Sequence, residues 1–294
     1  MQITDWTIPG ADALPIHANT HLPDAVPRAV AVIVHGWTGC KDRNIIPVLA
    51  QHAASIGCIA HRFSFGHCGI EKDADIITRH DEFSRDALAY QFEDLRRVID
   101  AINNGSISGK GLPLVLIGHS RGGATVLGAS ARAHQQQWSI KPAATIAVAA
   151  PSAYTRLTDE VRRELAANGF VEKKVTRAEG GIVRMVPSWY AHYTDNPNRD
   201  LFAEDMHAAR GPILLIHGDA DDAVPTTHPH QIMELLRNNP NCEPELAMIR
   251  WGDHNLGAIG FGVDHKRSQK PAILEGLQAI ESFLDRNLPP STVS

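Results

Sequence analysis

Along this chain, short apolar runs of strand length alternate with segments whose apolar residues recur every three or four positions. Residues 29–34 (AVAVIV), 58–63, 113–117, 143–149 (AATIAVA), 212–216 and 245–250 are predicted strands, most of them apolar enough to be buried on both faces. Ahead of them, 3–8 and 14–21 read as a hairpin around Pro9-Gly10-Ala11-Asp12, ended by Pro23 and Pro27. The helical period appears at 45, 46, 49, 50 and 53, closed by Gly57, and again over 83–102, where Leu88, Phe92, Leu95, Val98, Ile99 and Ile102 share a face and Asn103-Asn104-Gly105 stops the run. Ala124, Leu127, Gly128 and Ala131 mark a helix after Gly123, and further helices are predicted at 229–237 and 271–284, with a frayed tail after Pro289. The alternation predicts an α/β fold: a mostly parallel eight-stranded sheet with helices on both faces.

The rhythm breaks between 151 and 211. A helix capped by Thr158 and ended by Asn168-Gly169 precedes a hairpin of 170–175 and 182–186 around Glu179-Gly180-Gly181, and 187–211 reads as aromatic and irregular. The expected organisation is a core of residues 1–150 and 212–294, with 151–211 inserted as a cap over the sheet's carboxyl edge. Trp189, Tyr190, Tyr193 and Phe202 are candidates to line a substrate pocket there, or else to pack the insertion onto the core.

Composition narrows the function classes. With 294 residues, 43% of them hydrophobic, the chain can bury a large core, and its net charge of −5 comes from interspersed acids and bases with no basic block to track phosphates. Nucleic acid is therefore not an expected partner. No apolar run is long enough to cross a bilayer and the start carries no basic, apolar leader, so a soluble, cytoplasmic protein without a membrane partner is expected; nothing bears on oligomeric state. Cys40, Cys58, Cys68 and Cys242 show no paired spacing and are expected as reduced thiols, with Cys68 a minor candidate nucleophile. None of the sixteen histidines has metal-ligand spacing, so no metal and no other cofactor is expected.

The chemistry concentrates at strand ends. Gly118-His119-Ser120-Arg121-Gly122 is a G-x-S-x-G pentapeptide between a predicted strand and a predicted helix. A strand turning at once into a helix strains the turn residue, and glycines at 118 and 122 remove the side chains that would collide. Ser120 is then exposed beside the helix's first amides, where negative charge is stabilised. A serine hydroxyl needs a base, and that base needs a carboxylate to hold its tautomer. The acidic loop 219–222 and His254 also directly follow predicted strands, whose carboxyl ends converge in an open α/β sheet, whereas His228, His230 and His265 do not.

These residues, in the order Ser, Asp, His, resemble the α/β-hydrolase superfamily over nearly the whole chain, and in particular its serine carboxylesterases of the feruloyl (cinnamoyl) esterase-like group. His35-Gly36-Trp37-Thr38-Gly39 is similar to the oxyanion loop of that group, 118–123 to its elbow, His217-Gly218-x-x-Asp221-x-x-Val224-Pro225 to its acid loop, and Gly252-Asp253-His254 to its histidine loop. The resemblance implies Ser120 as nucleophile, His254 as general base and acid, Asp221 as orienting carboxylate ahead of Asp219 and Asp222, and the backbone N–H groups of Trp37 and Arg121 as oxyanion hole. His35 and His217 are expected as structural histidines beside tight turns. Residues 62–69 depart from the group's pattern with Ser64 in place of an aspartate and Cys68 near an expected glycine. The Arg121 side chain either favours an acidic substrate or caps a neighbouring carboxylate. The implied function is hydrolysis of a small-molecule carboxylic ester through an acyl-enzyme. A peptidase, for which Glu204-Asp205 is the candidate amine-binding pair, a thioesterase, an acyltransferase and a non-catalytic binding module are the alternatives.

Overall fold

In the computed structural model, which describes residues 1–155, 157–190, 200–258, 260 and 270–289, eight strands form one sheet. They are β1 (Gln2–Pro9), β2 (Pro15–Leu22), β3 (Ala29–Val34), β4 (Cys58–Ser64), β5 (Leu114–His119), β6 (Pro142–Val148), β9 (Gly211–Gly218) and β10 (Cys242–Ile249), in the order β1-β2-β4-β3-β5-β6-β9-β10. The two pairings at the N-terminal edge, β1 with β2 and β2 with β4, are antiparallel; all others are parallel. The eight-stranded, mostly parallel sheet read from the hydrophobic pattern is present.

Strand pleating sorts β3 between two cores. Val30, Val32 and Val34 face a layer holding Phe92, Leu95, Val98 and Ile99 of α3 (Leu88–Asn104), Ala124 and Leu127 of α4 (Arg121–Gln135), and Ile232, Met233 and Leu236 of α7 (Thr227–Arg237). Ala29, Ala31 and Ile33 face α1 (Ile45–Ser55) and the apolar stripe of α8 (Pro271–Asn287), Ile273, Leu277, Ile280, Phe283 and Leu284. With both faces covered, β3 has no polar side and reads as an unbroken apolar run.

The predicted helix over 83–102 is instead α2 (His80–Ser84) and α3, broken at residues 85–87. Ala87 is extended (φ −74°, ψ 152°), and the break leaves Asp86 buried against Arg121. Apolar spacing cannot register such a break, because Phe83 and Leu88 are buried on either side of it.

Between β6 and β9 lie α5 (Asp159–Asn168), the antiparallel pair β7 (Val171–Lys174) and β8 (Ile182–Met185), a 3₁₀ turn (Pro187–Tyr190) and α6 (Leu201–Ala208). Thr158 caps α5 by accepting the Val161 N–H at 3.2 Å, and Gly169 ends it at φ 76°. α6 falls within the stretch read as irregular. Asp200 caps it, accepting the Ala203 N–H at 3.0 Å, while Phe202 and Met206, four apart, are fully buried. The β7–β8 connection is stitched to the core by backbone bonds, Ile77 N–H to Arg177 C=O at 2.8 Å and Glu179 N–H to Ile77 C=O at 2.9 Å.

One buried carboxyl ties two loops to α3. Asp94 on α3 accepts the Ala11 N–H on Oδ1 (2.7 Å) and the Gly66 N–H on Oδ2 (2.8 Å), while burial pushes its pKa up to about 7 against those donors. The folded chain therefore holds a proton there that the unfolded chain releases near pH 4, and this contribution to stability falls as pH rises from about 4 to about 7. Asp94→Asn points an amide NH₂ at one of the two backbone donors, and a loss of about 1–3 kcal/mol is expected at pH 5. Urea unfolding at pH 5 and pH 8 checks this: the gap between variant and wild type should shrink at the higher pH, and a constant gap would contradict it.

Candidate active site

Ser120 sits between β5 and α4 at φ 56°, ψ −126°, a conformation that strains a residue with a side chain. The turn is possible because its neighbours lack Cβ atoms. A Cβ on Gly122 would stand 2.5 Å from the Val34 carbonyl oxygen and closer still to that of His35; a Cβ on Gly118 would run into the Gly122 carbonyl. Since these obstacles are backbone, Gly122→Ala is expected to cost about 3 kcal/mol or more, measured as a fall in the urea midpoint.

The sheet order brings the loops together. β3 is the neighbour of β5 with Val34 opposite Gly118, which sets Gly36 beside Ser120. This is the switch point where successive strands leave in opposite directions, the usual position of a ligand crevice in such sheets. Among the described residues, neither the Trp37 nor the Arg121 amide has a hydrogen-bond acceptor. On the far side β9 pairs β10 with Gly218 opposite Ile249, and a Cβ on Gly218 would collide with the Gly252 carbonyl, so the acid and histidine loops meet closely.

Their contact is specific. Asp221 is buried, its Oδ1 accepting the N–H groups of Ala223 (3.0 Å) and Val224 (2.8 Å) and its Oδ2 lying 2.9 Å from His254 Nδ1. Burial alone would raise Asp221; the His254 and Val224 hydrogen bonds and the two neighbouring imidazoles outweigh it, and the carboxyl lies below its usual range. Its rivals do other work: Asp222 is exposed, and Asp219, also exposed, accepts the Trp251 N–H at 2.6 Å. His254 and Ser120 share a cavity of about 420 Å³ with His35, Trp37, Thr38, Arg43 and Arg177 in its wall. No hydrogen bond joins Ser120 to the His254 ring among the described residues, a contact that often tightens only when substrate is bound.

His35 donates from Nδ1 to the Gly36 carbonyl (2.8 Å) and accepts the Phe65 N–H on Nε2 (3.1 Å), while His217 Nε2 donates to the Val224 carbonyl (2.8 Å). Both histidines brace turns. His119, which the sequence reading passed over, donates from Nε2 to the His254 carbonyl at 2.7 Å and sets its ring centroid 4.8 Å from that of His254. Its place next to Ser120 in the pentapeptide was the available signal.

The Arg121 side chain is buried. Its Nη1 lies 2.7 Å from Asp86 Oδ2, Nη2 donates to the Asp86 carbonyl, and the guanidinium stacks 4.1 Å from the Trp189 ring. Of the two uses left open for it, it caps a carboxylate. Trp189, Tyr190 and Phe202 are 4%, 3% and 0% exposed and do not line the Ser120 cavity; Phe202 packs edge-on against Tyr154 and Trp189 against Phe83. Tyr193 and His265 lie outside the described residues. Asp205 is bound by Arg132 (2.9 Å) and the Tyr154 hydroxyl (2.5 Å), so it is already engaged within the fold. Cys68 is buried with its thiol pushed up to about 12, and Ser64 accepts the Lys41 N–H at 3.0 Å. No group of three potential metal ligands occurs among the described residues, and no helix there is long and apolar enough to cross a membrane.

Residues 31–253 match the Alpha/beta hydrolase family. Among solved structures, the fold is similar to Est1E from Butyrivibrio proteoclasticus bound to ferulic acid (TM-score 0.65, 18% identity, 96% of this chain and 98% of that one). It is also similar to a putative hydrolase from Agrobacterium vitis S4 (0.67, 20%, 96% and 99%) and to the esterase domain of a Rhodothermus marinus protein (0.61, 19%, 97% and 99%). No curated protein matches the sequence.

Proposed function

Because the chain belongs to the alpha/beta hydrolase family, we propose that it is a serine hydrolase that cleaves small-molecule carboxylic esters through an acyl-enzyme intermediate. The observation that carries this reading is the shared cavity of Ser120, on its strained turn, and His254, whose Nδ1 is held by a buried Asp221.

With Nδ1–H bonded to the carboxylate, Nε2 is the basic nitrogen of the neutral ring. It takes the Ser120 proton as Oγ attacks the ester carbonyl, and the Trp37 and Arg121 amides receive the oxyanion. The imidazolium, stabilised by Asp221, passes its proton to the departing alcohol oxygen. A water then attacks the acyl-enzyme, gives its proton to Nε2 and releases the acid, and Nε2 returns that proton to Ser120. The segment 151–211 acts as a cap, a reading supported by Arg177, which reaches the cavity wall from it.

Stopped-flow release of p-nitrophenol from short- and medium-chain acyl esters tests the proposal, with fluorophosphonate labelling of Ser120 as the second readout. Turnover and labelling are both expected. Labelling without ester turnover would favour an amide or thioester substrate, and the absence of both would leave a binding module.

A further inference from the structure

Two arginines, Arg43 and Arg177, line the Ser120 cavity, and among the described residues no aspartate or glutamate does. Arg43 comes from the turn before α1, and Arg177 from the connection between β7 and β8. Arg177 Nη2 donates to the Thr38 hydroxyl at 3.1 Å and to the Thr38 carbonyl, next to Trp37 in the proposed oxyanion loop. Both arginines meet one acid that is not among the cavity's lining residues: Arg43 Nη1 is ion-paired with Asp75, whose Oδ1 lies 3.7 Å from Arg177 Nη1. Arg43 Nε and Arg177 Nη1 are buried and make no hydrogen bond among the described residues.

The charge balance follows. One carboxylate, Asp75, against two guanidinium groups leaves this side-chain cluster with a net positive charge. Of the other ionisable groups there, burial holds His35 down to about 4 and His119 to about 3 and pushes the Cys40 thiol up to about 11, so all three are neutral at pH 7, while the Asp221 carboxylate is already engaged by His254 Nδ1 and by the Ala223 and Val224 N–H groups. Each arginine side chain is only 19% exposed, so water screens this charge less than at an open surface. A clamp between insertion and oxyanion loop needs Arg177 alone. A second guanidinium on the same carboxylate adds repulsion, and like charges gathered at a cavity wall are the arrangement that receives an anion.

We propose that Arg43 and Arg177 form an anion subsite and that the preferred ester carries a carboxylate on the part lying against it. This rests on the esterase reading above. Neither arginine is a catalytic residue: both set specificity, and Arg177 in addition positions Thr38.

The test compares kcat/KM for mono-p-nitrophenyl glutarate with its methyl-capped neutral counterpart, and for 4-acetoxybenzoate with methyl 4-acetoxybenzoate, so that the carboxylate is presented on the acyl and on the alcohol side. From charge-assisted hydrogen bonding, the anionic member of one pair is expected to be favoured about 10- to 100-fold. That ratio should fall towards unity in Arg43→Met and Arg177→Met, mostly through KM, be largely retained in Arg43→Lys, and shrink with added salt. A neutral preference in both pairs, or a ratio untouched by either methionine variant, overturns the proposal.

A readout independent of turnover separates the two hypotheses: calorimetric binding of monomethyl glutarate and of dimethyl glutarate to Ser120→Ala, with and without Arg43→Met. Selective binding of the anion that Arg43→Met abolishes supports the subsite even if no ester is hydrolysed. Equal binding, or none, removes the subsite while leaving Ser120-dependent esterase activity standing.

Discussion

Ser120→Ala is expected to lower turnover of p-nitrophenyl esters by about 10⁴- to 10⁶-fold while the protein stays folded. The substitution removes only Oγ. Cβ remains, so the close packing of Gly36 against it is kept, as are the flanking glycines and the helix start. What disappears is the atom that would form the covalent bond. The amides of Trp37 and Arg121 and the cavity survive, so a residual rate above that of water is expected. Steady-state kinetics on protein whose thermal unfolding matches wild type is the measurement, with fluorophosphonate labelling as control. A variant within tenfold of wild type would remove Ser120 from the mechanism.

Asp221→Asn should cost about 10⁴-fold in kcat with little loss of stability, and the hydrogen bonds give the reason. Oδ1 of Asp221 accepts two backbone N–H groups, at 3.0 and 2.8 Å. In the asparagine variant the amide oxygen takes that position, which turns the NH₂ towards His254 Nδ1 in place of the oxygen now 2.9 Å away. A ring receiving a hydrogen bond at Nδ1 carries its proton on Nε2 and has no lone pair left for the serine proton. The protein should fold, bind ester and fail in the chemical step: kcat falls and KM changes little. If instead Asp219→Asn or Asp222→Asn gave the large loss, the acid would have been assigned to the wrong member of the loop.

Much of the site was legible because its parts are local. The pentapeptide around Ser120 is a backbone requirement written in glycines, and strand ends can be located from apolar runs before any tertiary contact is known. Asp221 stood among three neighbouring acids, with Val224-Pro225 as the sequence clue; burial and the bond to His254 now separate it from the exposed Asp219 and Asp222.

The aromatic residues of the insertion show the opposite case. Composition marks Trp189, Tyr190 and Phe202 as apolar and large, which suits a pocket wall and a packed core equally well. Trp189 packs against Arg121 and Phe83, Phe202 against Tyr154, and Tyr190 is buried in a cluster with Val161, Val171 and Met185, contacts between segments that are distant in sequence for most of these pairs. The break at 85–87 was likewise invisible, because Phe83 and Leu88 are buried on either side of it and Asp86 meets its partner Arg121 only across 35 positions of chain.

The sequence by itself determined the sheet, its helical layers and the strand ends at which Ser120, Asp221 and His254 stand, because hydrophobic periodicity and glycine placement are local consequences of burial and backbone geometry. Only the tertiary structure decided which charges meet. Arg121 is used up by Asp86, Asp205 by Arg132 and Tyr154, and Arg43 and Arg177 come to share Asp75 at the cavity wall. Pairing between distant side chains is set by how loops from separate strands converge, and no local pattern encodes that convergence.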